Sequence, residues 1–267
     1  ALLVWVLSGL VGWLLAATAR LSAWVTGLGG IVASLAAIFA ALPLLYDAPA
    51  VARVASFSAE LCPLNGLLLL AIAVTALFCS LYACQWLPTV SQRLRARVGF
   101  ATNLLLPALI AATLAASAVT LILMLELAAL CAGFIIAQAS DAKGQRAAHD
   151  QCLCARLGTL CLIAGFALLY HTSHDLSFEV LRHTRFSTGL ASSAFVLALM
   201  GFGLYAGIIP FHAWVPQSHT SAPAQVAALF SGAMMKIGLL GIVKIGLDLL
   251  GTPPLWWGVL VLVLAML

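Results

Sequence analysis

Two ionisable side chains lie near the middle of apolar segments that are long enough to cross a bilayer. Glu126 lies in AVTLILMLELAALCAGFIIAQ, and Lys236 lies in SGAMMKIGLLGIVKIGLD. Each charge alone is costly in a low-dielectric medium, so the two are expected to pair, directly or through water. Such a pair can hold, release and redirect a proton. A static ion pair that fixes helix packing is the alternative.

Three prolines and two histidines interrupt the apolar sequence between these charges. Pro210, Pro216 and Pro223 each lack a backbone donor and disfavour helical geometry in the preceding residue, so one unbroken helix is not expected there. His212 and His219 lie within the interruption. An imidazole that changes charge near neutral pH suits a proton path, although both rings can instead satisfy freed backbone groups. That structural role is favoured for His212, and a metal site is not expected because no third ligand has a suitable spacing.

Lys244 and Asp248 are four residues apart near the end of the second charged segment. On an α-helix this spacing puts both side chains on one face, so a local ion pair or snorkelling to the interface is the favoured interpretation. The alternative is that Lys244 is the exit step of a polar path that starts at Lys236.

The composition indicates an all-α, polytopic transmembrane protein with one discontinuous helix. Hydrophobic residues make up 64% of the chain and charged residues 7%, with a mean hydropathy of +1.15, more apolar than any soluble core requires. No basic face of the kind that nucleic acid requires is present. The seven cysteines lie mostly in apolar runs and are interpreted as packing residues. The apolar segments predict eight spans and the start of a ninth, at 1–19, 22–45, 63–88, 99–116, 118–138, 156–171, 188–209, 222–249 and 254–267.

The connections between these segments predict the orientation. Alternate connections carry seven and three Lys or Arg residues. The richer set includes 93–97 and 141–156, with Arg156 counted as a loop residue, and is expected in the cytoplasm, with the N-terminus outside. On the other side, 43–62 is the longest connection and 172–185 is polar enough to lie at the interface. Because the last apolar segment is shorter than a span, the chain is expected to be part of a longer one.

Three stretches resemble a known family. They are MLELAALCAGFIIAQ, PFHAWVPQSHTSAPAQVAAL and SGAMMKIGLLGIVKIGLDLLG. Together they resemble the antiporter-like, proton-translocating membrane subunits of respiratory complex I, the Mrp-type cation/proton antiporters and the group 4 hydrogenases. The amino-acid sequences of these stretches are most similar to those of the large membrane subunits of formate hydrogenlyase and hydrogenase-4.

The resemblance implies five-helix repeats, each with one broken helix, that are arranged in inverted pairs. It implies three N-terminal transmembrane helices at 1–92, a first antiporter-like repeat at 93–252 and the start of the next helix at 253–267. The second repeat would lie outside this sequence.

The functional positions of that family fall on Glu126, Lys236 and His219. One position departs from the family, which usually has a lysine in the seventh helix as the partner of the glutamate: GFGLYAGIIP places Tyr205 there. A tyrosine can pass a hydrogen bond but cannot supply the positive charge that holds a glutamate ionised. Either the pathway would use Lys236 alone, or the subunit would remain as a scaffold. Gln217, where complex I relatives tend to have an acidic residue, is a smaller departure.

By this resemblance the chain is a proton-translocating or proton-path membrane subunit of an energy-converting oxidoreductase complex in the inner cell membrane. Its partners would be protons, the lipid bilayer, other membrane subunits and a peripheral hydrogenase or quinone-oxidoreductase module that performs the redox chemistry. The chain itself would be non-catalytic. No cofactor is expected, because the sequence has no haem CxxCH, no iron–sulfur cysteine spacing and no GxGxxG. An Mrp-like cation/proton antiporter subunit and a non-pumping membrane anchor for a hydrogenase module are the alternatives.

Overall fold

The computed structural model describes residues 1–46, 49–54, 57–138 and 142–266. Within these ranges the regular structure is helical apart from one two-stranded sheet. The elements are α1 Leu2–Leu14, α2 Ala19–Leu44, β1 Ala50–Val54, β2 Phe57–Leu61, α3 Pro63–Trp86, a 3₁₀ turn Leu87–Thr89, α4 Gln92–Thr113, α5 Ala118–Ile136, α6 Ala142–Ser173, α7 Phe178–His183, α8 Thr188–Ala206, α9 Trp214–Ser221, α10 Ala224–Leu229, a π turn Phe230–Met234, α11 Met235–Val243, a second π turn Lys244–Leu249 and α12 Leu255–Met266.

The described residues contain seven helices that are long and apolar enough to cross a membrane, together with the shorter apolar helices Leu2–Leu14 and Leu255–Met266. All of these helices coincide with predicted apolar segments, which confirms the all-α, polytopic class. The most buried span is α4, which contacts α1, α2, α3, α5 and α11. It is therefore the central helix of the bundle.

The helix α6 begins earlier than the sequence pattern indicates. The charges of residues 141–156 predict a connection, whereas the structure is helical from Ala142 to Ser173. The good helix formers Ala, Gln, Arg and Leu dominate residues 145–156, so the helix extends through them. Arg156 consequently lies inside the helix and not in a loop. Without it, the orientation count is six basic residues against three, which still favours the same orientation.

Part of the longest predicted connection forms a β-hairpin that packs on the ends of several helices. β1 and β2 pair antiparallel, with Val51 opposite Glu60. The Glu60 N–H donates to the Leu114 carbonyl at 2.7 Å and the Ala116 N–H to the Ser58 carbonyl at 3.1 Å, so β2 adds to the turn between α4 and α5. The segment that leads into α7 bonds to the same turn. We call residues 50–54, 57–61, 114–117 and 176–183 the hairpin end of the bundle.

The predicted discontinuity lies between α8 and α10. α8 ends at Ala206, and Gly207 has a φ of 66°, a left-handed conformation that favours glycine. The Trp214 indole N–H donates to the Leu204 carbonyl at 2.8 Å and so satisfies one backbone group at the break. The short helix α9 follows, and Pro223 immediately precedes α10. The prolines therefore mark the interruption correctly.

One continuous helix, Ala224–Leu249, comprises α10, α11 and both π turns. We call it the lysine helix because it contains Lys236 and Lys244. Gly238 and Gly241 face α8, and a Cβ added at either position would come within 2.6 Å of an α8 atom. Only glycine allows this close approach of the two helices.

Candidate functional site

Glu126 projects from α5 toward α6 and α8, where three side chains reach its carboxylate. Oε2 forms an ion pair with Arg156 Nη1, and Oε1 accepts a hydrogen bond from the Thr159 hydroxyl. The Tyr205 hydroxyl donates to the same Oε1 across 3.3 Å. The Glu126 side chain is 17% exposed, so one cation and two hydroxyls surround a largely buried carboxylate. We call these four residues the Glu126 site.

The two hydroxyls of the Glu126 site are also bonded to each other. Thr159 Oγ1 and the Tyr205 oxygen are 2.8 Å apart, and either can be the donor. Thr159 Oγ1 additionally lies 3.1 Å from the Ala155 carbonyl. Because a hydroxyl has one proton and two lone pairs, Thr159 donates to one acceptor at a time and can exchange roles with its neighbours. A proton can therefore be handed between Tyr205, Thr159 and Glu126 without movement of a helix.

Close packing of α6 on α8 brings the site together. A Cβ added at Gly158 would lie 3.0 Å from the Gly201 carbonyl oxygen and 3.2 Å from the Tyr205 ring. The glycine thus lets the fully buried tyrosine reach across to α6. Arg156 and Thr159 are three residues apart on α6, a spacing that puts both on the face toward Glu126.

Sequence reasoning missed two residues of this site, Thr159 and the only cation of the group, Arg156. Its side chain is 41% exposed, yet its Nη2 is buried and has no hydrogen-bond partner within the described residues. The available signal was the Arg-x-x-Thr spacing in a run of good helix formers, which a loop assignment obscured. Arg156 supplies the positive charge that Tyr205 cannot.

Lys236 does not form the expected pair with Glu126. It lies on the exposed face of α11, while Ile237, Gly238 and Leu240 pack inward. No ion pair of Lys236 is found among the residues that the structure describes. The ammonium therefore points away from the described bundle. Arg156, and not Lys236, is the cation that pairs with Glu126.

The two histidines of the interruption have different environments. His219 is half-buried: its Nδ1 lies 2.8 Å from the Val215 carbonyl oxygen, and its ring meets Phe230 edge-on with centroids 5.9 Å apart. His212 is exposed, and its carbonyl accepts from the Val215 N–H at 2.9 Å. The neighbouring Ser218 is fully buried, with no hydrogen-bond partner for its hydroxyl in the described part of the chain. Within the described residues, no group of three His, Cys, Asp or Glu side chains could hold a metal ion.

Residues 115–267 match the family described as NADH:quinone oxidoreductase/Mrp antiporter, transmembrane. The chain belongs to this family. The match covers more than half of the chain and confirms the resemblance of its three motifs. Because it is a transmembrane family and the chain has several helices of spanning length, the chain is a multi-pass membrane protein.

Curated relatives extend the match toward the N-terminus. Formate hydrogenlyase subunit 3 of Escherichia coli K12 is 38% identical over 250 residues, which are 92% of this chain and 40% of that protein. Hydrogenase-4 component B of the same organism is 34% identical over 201 residues, 74% of this chain and 30% of that protein. The chain thus spans about 30 to 40% of the length of these relatives.

Solved structures share the fold at low sequence identity. A chain of the Mrp complex from Dietzia sp. DQ12-45-1b has a TM-score of 0.80 and 20% identity, and the match covers 100% of this chain and 52% of that one. A chain of the membrane-bound sulfane sulfur reductase, an archaeal respiratory membrane complex, has a TM-score of 0.82 and 17% identity, with 98% and 56% covered. The antiporter-like fold is therefore shown over the whole described chain.

A second group of charges lies at the hairpin end, where Lys244 and Asp248 meet two residues that the sequence analysis did not connect with them. Glu60 of β2 is buried, and its carboxylate accepts from both Lys244 Nζ and Arg182 Nη2. Arg182 of α7 also donates through Nε and Nη2 to the two carboxylate oxygens of Asp248, each at 2.6 Å. We call Glu60, Arg182, Lys244 and Asp248 the hairpin-end cluster. Sequence alone offered little signal for Glu60, because the burial of a hairpin side chain depends on what packs over it.

The local ion pair expected between Lys244 and Asp248 is not formed. Residues from Lys244 onward form a π turn, which is wider than an α-helical turn. Asp248 binds Arg182, while Lys244 turns to Glu60. The hydrogen bonds to Asp248, followed by those to Glu60, raise the pKa of the Arg182 guanidinium above its ordinary value. Arg182 is therefore a permanent cation that joins two carboxylates.

Proposed function

We propose that this chain is the proton-path part of a membrane subunit of an energy-converting oxidoreductase complex, of the hydrogenase-4, formate hydrogenlyase or NADH-quinone oxidoreductase type. The observation that carries the proposal is the Glu126 site, where a largely buried carboxylate contacts one cation and two linked hydroxyls. An intramembrane acid with such partners is the kind of group that binds and releases protons. Membership of the family and the named relatives support the same proposal.

In this proposal Arg156 holds Glu126 ionised and does not itself transfer a proton, since a guanidinium is not deprotonated in proteins. When the ion pair is formed, Glu126 is a carboxylate. When Arg156 moves away, the carboxylate loses its counter-charge and takes up a proton through Thr159 and Tyr205. The half-exposed position of Arg156 and its unpartnered Nη2 are consistent with a side chain that can change position.

Lys236 would act at the next step of the path. Its ammonium lies on the exposed face of the lysine helix, so we propose that this face meets the second repeat, with 93–252 as the first. His219, at the break, would accept protons from the aqueous side nearest the interruption, and Lys244 would serve the opposite end of the lysine helix. His212, which is exposed, would have at most an entry role. Residues 1–92 would be the preceding helices, and 253–267 the start of the next one.

The same proposal includes the membrane location, the orientation and the partners of the chain. The chain would lie in the inner cell membrane with its N-terminus outside, because the connections with more Lys and Arg tend to be cytoplasmic. Its partners would be other membrane subunits and a peripheral hydrogenase or quinone-oxidoreductase module that performs the redox chemistry. The chain itself would hold no redox cofactor.

The test is redox-driven proton flux in sealed vesicles that contain the full-length protein in its complex, with Glu126→Gln and Lys236→Ala compared with the parent. We expect both variants to lose flux while electron transfer to soluble acceptors persists. Asp175→Asn is the matched control, because Asp175 is an exposed acid outside the spans. Unchanged flux in both variants would show that these charges are structural and that this part of the protein is an anchor.

A second candidate is an Mrp-like cation/proton antiporter subunit, which is favoured by the fold shared with the Mrp complex over the whole chain. Sodium distinguishes the two functions. If flux in the same vesicles requires sodium in the absence of any redox reaction, the antiporter function replaces the first proposal.

A further inference from the structure

Glu60 and Lys244 form a buried ion pair outside the Glu126 site. Their side chains are 9% and 7% exposed, and the Lys244 ammonium also lies 4.6 Å from the centroid of the Phe178 ring. Transfer of a proton from the ammonium to the carboxylate gives a neutral amine and a neutral acid with no change in net charge. A low-dielectric surrounding opposes isolated charges, so it tolerates both forms of such a pair.

Two cavities adjoin this pair, one at Glu60 and one at both residues. One cavity, of about 460 Å³, is lined by Glu60 and Arg182 together with the hydroxyl residues Ser58, Ser117 and Thr120. Another, of about 550 Å³, lies against Glu60, Lys244, Arg182 and Asp248. Each is large enough for several water molecules, since one water occupies about 30 Å³ in the liquid.

Asn65 places an unused acceptor at the second cavity. Its side chain is fully buried, its Nδ2 donates to the Glu60 carbonyl at 2.9 Å, and its Oδ1 has no hydrogen-bond partner among the described residues. Asn65 lines the same cavity as Lys244. A buried amide oxygen without a partner is costly, and a water molecule in the cavity would satisfy it.

The space on the inner side of the pair is small. There Lys244 adjoins a space of only about 10 Å³, lined mostly by apolar groups such as Leu121, Ile237 and Leu240. A chain of water cannot pass through a space of that size. Lys236 lies eight residues away on the same helix, roughly 12 Å along its axis. The pair therefore adjoins room for water at the hairpin end and only a small, mostly apolar space on its other side.

We propose that Glu60 and Lys244 form a second proton-exchange pair, at the hairpin end of the bundle, that releases protons to the aqueous surface there; the inference rests on the proposed proton path. The Lys244 ammonium gives its proton to Glu60, Glu60 gives it to cavity water, and the neutral amine takes the next proton from the interior when the lysine helix shifts. Arg182 stays a cation and holds Glu60 in place, and Asp248 in turn binds Arg182. Glu179 and Cys62 are the other titratable groups that line the cavities.

The decisive variant is Lys244→Arg. An arginine can keep the ion pair with Glu60 but does not release its proton, so a structural pair tolerates it and a proton-exchange pair does not. We expect redox-driven proton flux in sealed vesicles of the full-length protein to fall about tenfold or more, with assembly and electron transfer unchanged. Lys143→Arg, the same change at an exposed lysine of α6, is the matched control and should leave flux at the parent level.

The double variant Glu60→Gln with Lys244→Met covers the case in which an arginine does not fit. Replacing both members of a buried pair by neutral groups often preserves stability. We expect this variant to assemble without flux, whereas parent-level flux in either variant would overturn the inference. The Glu126→Gln variant separates the two proposals. If it abolishes flux while Lys244→Arg does not, only the present inference fails; if neither affects flux, the proposed function fails as well.

Discussion

The Glu126 site and the hairpin-end cluster both pair a carboxylate with an arginine, but their surroundings differ. At the Glu126 site one acid meets one cation, and two linked hydroxyls complete its hydrogen bonds. In the hairpin-end cluster two acids meet two cations, and cavities adjoin the group on either side of Glu60. The first site lies among three spanning helices, and the second joins a hairpin, a short helix and the end of a span.

This difference separates two uses of buried charge. A network in which every charge is matched holds its elements together, and removal of one member leaves another uncompensated. A carboxylate with a single cation and exchangeable hydroxyls is easier to neutralise, because one movement of the cation changes its protonation. The comparison therefore predicts that loss of Arg156 acts mainly on flux, whereas loss of Arg182, which joins two carboxylates, acts first on stability.

The largest effect is expected for Arg156→Gln. This variant removes the only cation that contacts Glu126 among the described residues, so the carboxylate should stay protonated and flux should fall about tenfold or more. The measurement is redox-driven proton flux in sealed vesicles, with Arg146→Gln, the same change at an exposed arginine of α6, assayed in parallel and expected to keep the flux of the parent. Arg156→Lys keeps the positive charge and should retain flux. A loss as large in Arg156→Lys as in Arg156→Gln would show that the charge is not what matters.

An intermediate effect is expected when the hydroxyls are removed and the ion pair is kept. Tyr205→Phe and Thr159→Val preserve the shape of the site but interrupt the hydrogen bonds between Tyr205, Thr159 and Glu126. Flux should fall severalfold while thermal stability changes by about 1 kcal/mol, the usual net contribution of one hydrogen bond. Tyr170→Phe is the control, because Tyr170 is an exposed tyrosine of α6. Flux equal to that of the parent in both variants would leave the hydroxyls without a role in transfer.

Sequence reasoning succeeded where the bilayer constrains the chain locally. In hydrocarbon each span must satisfy its own backbone hydrogen bonds, so apolar segments such as 118–138 predict helices directly. Pro210 and Pro223 predict the interruption for the same reason, since each removes a donor. Glu126 is a candidate because it is an acid near the middle of a span, and the structure surrounds it with polar partners.

Sequence reasoning failed where side-chain partners depend on packing between distant segments. The charge of Arg156 at the end of a polar stretch predicts a loop residue, although α6 continues through it. Glu60 gave no signal, because it is buried only after α7 and the lysine helix pack over the hairpin. The α-helical spacing of Lys244 and Asp248 predicts an ion pair between them, but the π turn removes that spacing. The missed pairs are tertiary contacts, and the extent of α6 and the π turn decide which side chains can form them.

The smallest effect is expected for the pH dependence of the hairpin-end cluster. Hydrogen bonds to Asp248 and Glu60 raise the pKa of Arg182. A cation with a raised pKa contributes stability that is fully present below its unfolded-state pKa and is lost only as pH rises through the folded value. The pKa of this arginine lies far above neutral pH in both the folded and the unfolded state. Arg182→Gln should therefore lower stability by the same amount from about pH 6 to about pH 9. That amount should be about 1 kcal/mol or less, because Arg182 is 32% exposed and solvent screens its ion pairs.

The check is the melting temperature of the full-length protein in detergent at several pH values, for the parent and Arg182→Gln. Arg185→Gln is the matched control, because Arg185 is exposed and forms no ion pair within the described ranges; it should not change the melting temperature. A difference between Arg182→Gln and the parent that shrinks as pH rises from about 6 to about 9 would contradict this prediction, because the guanidinium itself keeps its proton over that range.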